Sequence, residues 1–402
     1  MTPTPRRTAL AVALAGLAHA GGIRVSHADP APTETLTLEV AQDVQHESNL
    51  FRLPDGVDPF GDGRRDDLIL ASSARARFDR PVSLQRFVAD ITAIHHDYQE
   101  YDFLDFTGLN GLGRWDWAIG SRWQGSLAAA QSENLRSFAD NTGLTRSINT
   151  YRRASADASF WLHPDWAIGA AAITASSRYS DDASAASEYD EDSVELRGSW
   201  RAASDSSLQL VVAELRGAYP NETGPSSGDY RQRDLQLRGN WRFSGISRLS
   251  GYIGFADREH DERPERDFSG GVGKLEYDWQ ATPTVGVNLM ARREIGAEAD
   301  LVDNFVVTEA FALRPTWQAT PRLALSVQVE WLQRSYGGDP GFAVVSDVSK
   351  DDDTAIGTLK LGWMASDALY LGLSWQQEQR RSALADREYD DDIVALSVRF
   401  TW

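Results

Sequence analysis

The side chains best equipped for chemistry are five histidines beyond residue 28 and several runs of carboxylates. A metal centre needs ligands that converge on one point. His95 and His96 are adjacent, so in a strand they point to opposite faces. His163 falls in a turn signal, and His46 and His260 stand far apart in the chain. The acidic runs are Asp181 and Asp182, Asp351 with Asp352 and Asp353, and Asp390 with Asp391 and Asp392. Calcium takes about six to eight oxygens from a shaped loop, and none of these runs has that spacing. They read as solvated loops that repel lipopolysaccharide or bridge it through divalent ions. A hydrolase would need a serine held against a histidine, and no nucleophile motif stands out. No catalytic residue, metal site or cofactor is expected.

A second set of charged residues is more telling because of its spacing. Along residues 231–243, Leu235, Leu237, Gly239, Trp241 and Phe243 alternate with Asp234, Gln236, Arg238, Asn240 and Arg242. Residues 271–280 and 321–330 alternate in the same way, as does the C-terminal stretch "IVALSVRFTW". A period of two marks strands with one apolar and one polar face. The polar positions include Arg114, Asp116, Arg153, Asp157, Glu195, Arg197, Asp234, Arg238, Arg242, Lys274, Glu276, Lys360 and Arg399. A charge facing lipid near the midplane costs about 2–4 kcal/mol, so these residues are expected to line an interior.

Tryptophan sets the larger rhythm. Trp117, Trp161, Trp200, Trp241, Trp279, Trp317 and Trp363 each precede a short turn signal, at spacings of 44, 39, 41, 38, 38 and 46, and "WQATP" occurs twice. A period near 40 demands a repeat architecture. A propeller blade would need four strands per period, whereas only two long strands fit here. The expected fold is therefore all-β: a transmembrane antiparallel up-and-down barrel of about 18 strands (16–18), starting near Thr35 and ending at Trp402. Short periplasmic turns would alternate with long acidic extracellular loops. Trp117, Trp123, Trp161, Trp166, Trp200, Trp241, Trp279, Trp317, Trp363 and Trp402 would form the periplasmic aromatic girdle, with each ring in the apolar layer and its N–H toward water.

Composition agrees. The chain has 402 residues, no cysteine and a formal charge of −19, with 42% hydrophobic residues. It cannot form disulfides, is too apolar for disorder, and lacks the basic stripe of a nucleic-acid surface. Mean hydropathy is −0.41, the average that alternating strands produce. Residues 1–28 read as a cleaved secretory signal: Arg6 and Arg7, an apolar core, then a small-residue site ending at Ala20, with a second at Ala28. Residues 29–402 then form one barrel in the bacterial outer membrane. Its expected surroundings are outer-membrane lipid and lipopolysaccharide. The alternating last strand, which ends on an aromatic, resembles the signal that outer-membrane assembly machinery reads, in which Phe is the more usual last residue. It must also pair with the first strand, because an open edge cannot stand in lipid.

Two stretches carry a family resemblance. One is "HESNLFRLPDG", residues 46–56. The other runs from "SLQRFVADI" (83–91) through "YQEYDFLDFTG" (98–108) to "RWDWAIG" (114–120). Together they resemble the EpsL-type outer-membrane proteins of exopolysaccharide loci, which accompany exosortase and PEP-CTERM sorting systems. Where that family often has aspartate before Ser-Asn-Leu-Phe, this chain has Glu47. The resemblance implies a porin-like barrel that serves exopolysaccharide biosynthesis or secretion, as a passive water-filled conduit or as an outer-membrane component that meets the polymer and other export components. It brings no catalytic residues. The same fold would also serve a general diffusion porin, an outer-membrane hydrolase acting on lipid A or polysaccharide, or an adhesive surface protein.

Overall fold

Each alternating stretch becomes a strand, and the strands close on themselves. The computed structural model describes residues 35–139, 143–202, 204–222, 228–261, 264, 267–297, 305–337 and 351–402. The proposed signal segment lies outside these residues. The strands are β1 (Leu36–Glu47), β2 (Asp67–Val82), β3 (Gln85–Tyr98), β4 (Phe106–Ile119), β5 (Trp123–Leu135), β6 (Ile148–His163), β7 (Trp166–Tyr179), β8 (Tyr189–Arg201) and β9 (Ser207–Ala218). They continue as β10 (Tyr230–Ser244), β11 (Ser247–His260), β12 (Phe268–Thr282), β13 (Val285–Ala297), β14 (Phe305–Thr320), β15 (Leu323–Gly337), β16 (Asp352–Met364), β17 (Leu369–Ser382) and β18 (Tyr389–Thr401). Neighbours in sequence pair antiparallel, and β1 pairs with β18, which makes one closed 18-stranded sheet. No helix among the described residues is long and apolar enough to cross a membrane. The chain crosses with strands, whose backbone groups are satisfied by their neighbours all the way round.

Tight turns and longer connections alternate, as the Trp rhythm requires. The turn at Ser83 and Leu84 joins β2 to β3, and the one at Pro321 and Arg322 joins β14 to β15. Such turns need backbone that few residues accept: Ser83 has φ 56° and Gly120 has φ 60°. The opposite end carries the first loop (48–66), the second (99–105) and the third (136–147).

Register separates the two faces. Leu235, Leu237, Val212, Leu210, Ile253 and Phe255 are 43–55% exposed, and they pair with one another across β9, β10 and β11. Arg238 and Asp234, one residue out of step, point the other way. Side chains on that face reach over an intervening strand: Arg238 on β10 meets Glu195 on β8, and Arg197 on β8 meets Asp157 on β6. Alternate strands lie about 10 Å apart, so such contacts form only where side chains converge, on the concave inside of the barrel. The exposed apolar face is therefore the outside.

Two acidic runs depart from expectation. Tyr389 to Asp392 belong to β18 rather than to a loop, and Asp352 opens β16. Asp352 and Asp391 are not solvated: both side chains are 0% exposed and ion-paired. Each points inward, where an arginine meets it.

Candidate functional site: the polar lumen and its two mouths

Every expected lining residue falls in the inward register. Glu195 accepts from both terminal nitrogens of Arg238, at 2.7 and 3.0 Å. Asp157 lies 3.3 Å from Arg197 and also accepts from Ser126 Oγ. Lys274 pairs with Glu276 at 3.1 Å, Arg114 with Asp116 at 2.7 Å, and Arg399 with Glu39 at 3.3 Å. Arg242 reaches Asp205 at 3.7 Å at the short-turn rim. Asp234 accepts from Gln232 at 2.9 Å and Gln236 at 3.4 Å. Arg153 lies in register with Ala130 and Ala175, and Lys360 lies between Ser326 and Ser374. The wall is thus a belt of paired charges in which most cations have a nearby carboxylate. Such a wall stays hydrated without presenting one sign of charge.

The same alternation rule, carried further, finds lumen residues beyond that set. Glu330 on β15 lies 3.8 Å from Arg292 on β13 and 3.6 Å from Arg314 on β14. Arg75 donates to Asp90 at 2.8 Å, and Arg86 to Asp79 at 2.7 Å. The signal was present in the sequence for most of them, because each except Arg86, flanked at two residues by Leu84 and Val88, lies two residues from another inward polar position.

The mouth at the loop end is built differently, and its partners are remote in sequence. Ile69 and Tyr98 point inward and pack with Leu50, Phe51, Tyr101, Leu104 and Phe138 in one buried cluster. Described residues of the first three loops therefore pack inward at the mouth rather than away from it. Phe51 is 2% exposed and meets Tyr101 and Phe138 edge-on, with ring centroids 4.8 and 4.7 Å away. Asn49 donates to Leu53 O at 2.8 Å and Asp390 O at 3.0 Å, while its own backbone N–H donates to Asp391 at 2.8 Å. Ser48 Oγ donates to Asp391 at 3.0 Å. Arg52 lies 3.1 Å from Asp391 and also pairs with Glu47. Burial works against the Arg52 charge, but Glu47 and Asp391 outweigh it, so its pKa rises and it stays protonated. The stretch Glu47-Ser48-Asn49-Leu50-Phe51-Arg52 thus clasps the seam between the first and last strands. The third loop supplies a second strut: Arg380 on β17 donates to Ala139 O at 2.6 Å and pairs with Asp352, which also accepts from Arg387 at 2.8 Å.

At the short-turn end, the aromatics sort by face. Trp123, Trp166, Trp279, Trp317, Trp363 and Trp402 are 44–56% exposed on the outside. Trp117 shares the outward register of Trp115 and lies over Gly125, where a Cβ would stand 2.5 Å from its ring. Trp200 and Trp241 stack with centroids 6.1 Å apart, and Trp166 stands 6.4 Å from Trp200. Trp161 breaks the expected girdle. Its neighbour Phe160 pairs with Ile168, which is 54% exposed, whereas Trp161 pairs with Ala167, which is 3% exposed. Trp161 is therefore turned into the lumen. Trp331 and Trp375 are also outward, at 45% each, so among thirteen tryptophans Trp161 alone faces inward. Strand tyrosines divide the other way. Tyr151, Tyr252 and Tyr370 lie in the inward register, and Tyr277 alone among the described strand tyrosines shares the outward register of Trp279.

The histidines stay apart. His46 faces Asp66 at 3.4 Å, His95 meets Thr107 at 3.0 Å on the outside, and His96 stacks on Phe106.

Closed antiparallel topology, an apolar outer belt rimmed by tryptophan and a polar inner wall together define a bacterial outer-membrane β-barrel of the porin type. Residues 242–402 match the family model described as "Putative beta-barrel porin 2". Among solved structures, the chain is similar to OccK2 (OpdF) of Pseudomonas aeruginosa, at 13% identity over 91% of this chain and 98% of that chain, with a TM-score of 0.51. The complex of OccK2 with glucuronate gives the same identity and coverage, with a TM-score of 0.50. At that identity the likeness concerns the fold. No curated protein matches the chain in sequence.

Proposed function

We propose that the protein is a passive, water-filled conduit of the outer membrane that serves exopolysaccharide biosynthesis or secretion. The observation that carries the conduit is the inner wall, a belt of charges neutralised by partners on the same, adjacent or alternate strands. Barrels of 16–18 strands leave an aqueous interior. A polar solute crossing this one exchanges water for side-chain hydrogen bonds and meets no large field of one sign. The polysaccharide role rests on the resemblance of residues 46–56 and 83–120 to the EpsL-type proteins. The surrounding partners are outer-membrane lipid and lipopolysaccharide, and β18 is the strand that assembly machinery engages.

Purified protein in planar bilayers is expected to give discrete conductance steps, and deletion of the gene is expected to abolish surface polysaccharide. An absence of conductance, both in the full chain and in a form with the first loop trimmed, would sink the conduit. The second reading is a general diffusion porin, favoured by the fold likeness to OccK2, which has been crystallised with glucuronate. Under that reading the deletion leaves surface polysaccharide intact and slows uptake of small solutes.

A further inference from the structure

The partition of aromatics leaves one residue without a membrane explanation. Tryptophans on the outside sit where an amphipathic ring is stable, at the apolar–water boundary. Trp161 has the same sequence context, near a tight turn at the end of β6, yet its indole stands in the lumen. Half-buried in the lumen wall, the ring has no lipid boundary to sit at, so the position calls for another reason.

The surroundings of Trp161 hold it in a fixed pose. Arg201, at the end of β8, places its guanidinium 4.3 Å from the centre of the Trp161 ring. Arg201 is itself tethered, donating from Nη2 to Pro164 O at 3.1 Å. Four residues deeper on the same two strands, Arg197 and Asp157 make the same crossing as an ion pair at 3.3 Å. Both crossings pass over β7, whose inward residues at this level are Ala167, Gly169 and Ala171. The alanines are 3% and 8% exposed. Small residues on β7 let the walls of β6 and β8 meet above them. The result is a ring oriented by a cation at the short-turn mouth, followed by a charged pair further in.

We propose that Trp161 and Arg201 form a docking platform for a saccharide at the periplasmic mouth, with Asp157 and Arg197 as the next contacts along the path. This deepens the conduit reading and rests on it. A pyranose ring presents a face of C–H bonds ringed by hydroxyls. The C–H face packs on the electron-rich face of an indole, and the hydroxyls need charged or amide partners close by. Arg201 covers one face of the ring, so the sugar takes the opposite face, and Arg201 with the Asp157–Arg197 pair beyond it meets the hydroxyls at the sugar's edge. A stacked aromatic also suits a sliding polymer, since each successive sugar presents the same face and no strong directional bond has to break.

The test is block of single-channel current by a neutral hexasaccharide of glucose, added separately to each side of the oriented wild-type barrel. Wild type is expected to show sugar-dependent closures that are stronger from the periplasmic side. Trp161→Ala is expected to raise the half-blocking concentration about tenfold, the loss of one stacking contact, and Trp161→Phe to recover part of it. The heat-modified gel shift of the folded barrel should stay as in wild type in both variants, and each half-blocking concentration is read against that variant's own unblocked conductance. Benzoate serves as the aromatic control. Equal block of Trp161→Ala and wild type, absence of any block in a conducting wild type, or block by benzoate alone would overturn the platform while leaving the conduit standing. A wild type that does not conduct would instead overturn the conduit reading on which it rests.

Discussion

The two ends of the barrel use the same side chains to opposite ends. At the loop mouth, Arg380 is 1% exposed and Asp352 is 0% exposed in their ion pair. At the short-turn mouth, Arg242 and Asp205 form the equivalent pair at 3.7 Å with 42% and 47% exposure. A buried pair cannot be broken cheaply, because the surviving charge is left without water or partner. An exposed pair is hydrated whether or not it is made. The difference shows which mouth is held by buried charge and which by hydrated pairs. Loop residues pack inward and are clamped by buried charge at the outer end, while tight turns and an outward Trp girdle frame the inner end.

The largest expected effect breaks that contrast directly. Asp352→Ala strands two arginines at the loop mouth and should destabilise the barrel by about 3–5 kcal/mol, whereas Arg242→Ala should cost under about 1 kcal/mol. Denaturant titration of each variant refolded into phosphocholine bilayers measures both. Equal losses would mean that the two ends do not differ as described. Next comes Phe51→Ala, which empties the centre of the loop cluster and should cost about 3 kcal/mol. If the cluster narrows the mouth, this variant also conducts more than wild type in planar bilayers. At the other end, Trp241→Ala removes one stacked ring from the outer girdle. A loss of about 1 kcal/mol is expected in the same titration, with no change in conductance. A conductance change there would place Trp241 in the lumen and undo the facing of the wall.

How much of this was legible follows from the range of each interaction. Strand faces were readable because alternation is local: Leu235 beside Asp234 already says which side is oily. The closure of β1 on β18 followed from the requirement that lipid tolerate no edge. The loop mouth was not readable. Asp391 looks like a solvated acid until Arg52 arrives from 339 positions earlier in the chain, and no periodicity encodes that meeting. The motif around Ser48 and Asn49 was recognised by resemblance, but its use as a seam clasp appears only when Asp390 and Asp391 lie beside it. Trp161 was misplaced for the opposite reason, because a local signal was present. Alternation runs unbroken from Arg153 and Asp157 to Trp161 and already turns it inward, since the register shift comes only after it; nearness to a turn, which served for the other tryptophans, pointed the wrong way.

The smallest effect concerns the rim of the first loop, where charge is exposed even at the clamped end. Asp66 accepts from Arg64 at 2.6 Å, with His46 at 3.4 Å. The Arg64 hydrogen bond, against a partial burial penalty, holds the Asp66 pKa below its ordinary value. A depressed carboxylate stabilises the fold at pH values above its unfolded pKa, and the contribution disappears as pH falls through the lower folded value. Between neutral pH and the acid range, the first loop of wild type should therefore lose slightly more amide protection than that of Asp66→Asn, which has nothing to protonate there. Both side chains are solvated, so the difference should be small beside the Asp352 effect. A loss as steep in Asp66→Asn as in wild type would show that the rim pair contributes nothing, and that the order of the outer mouth comes entirely from the buried charges beneath it.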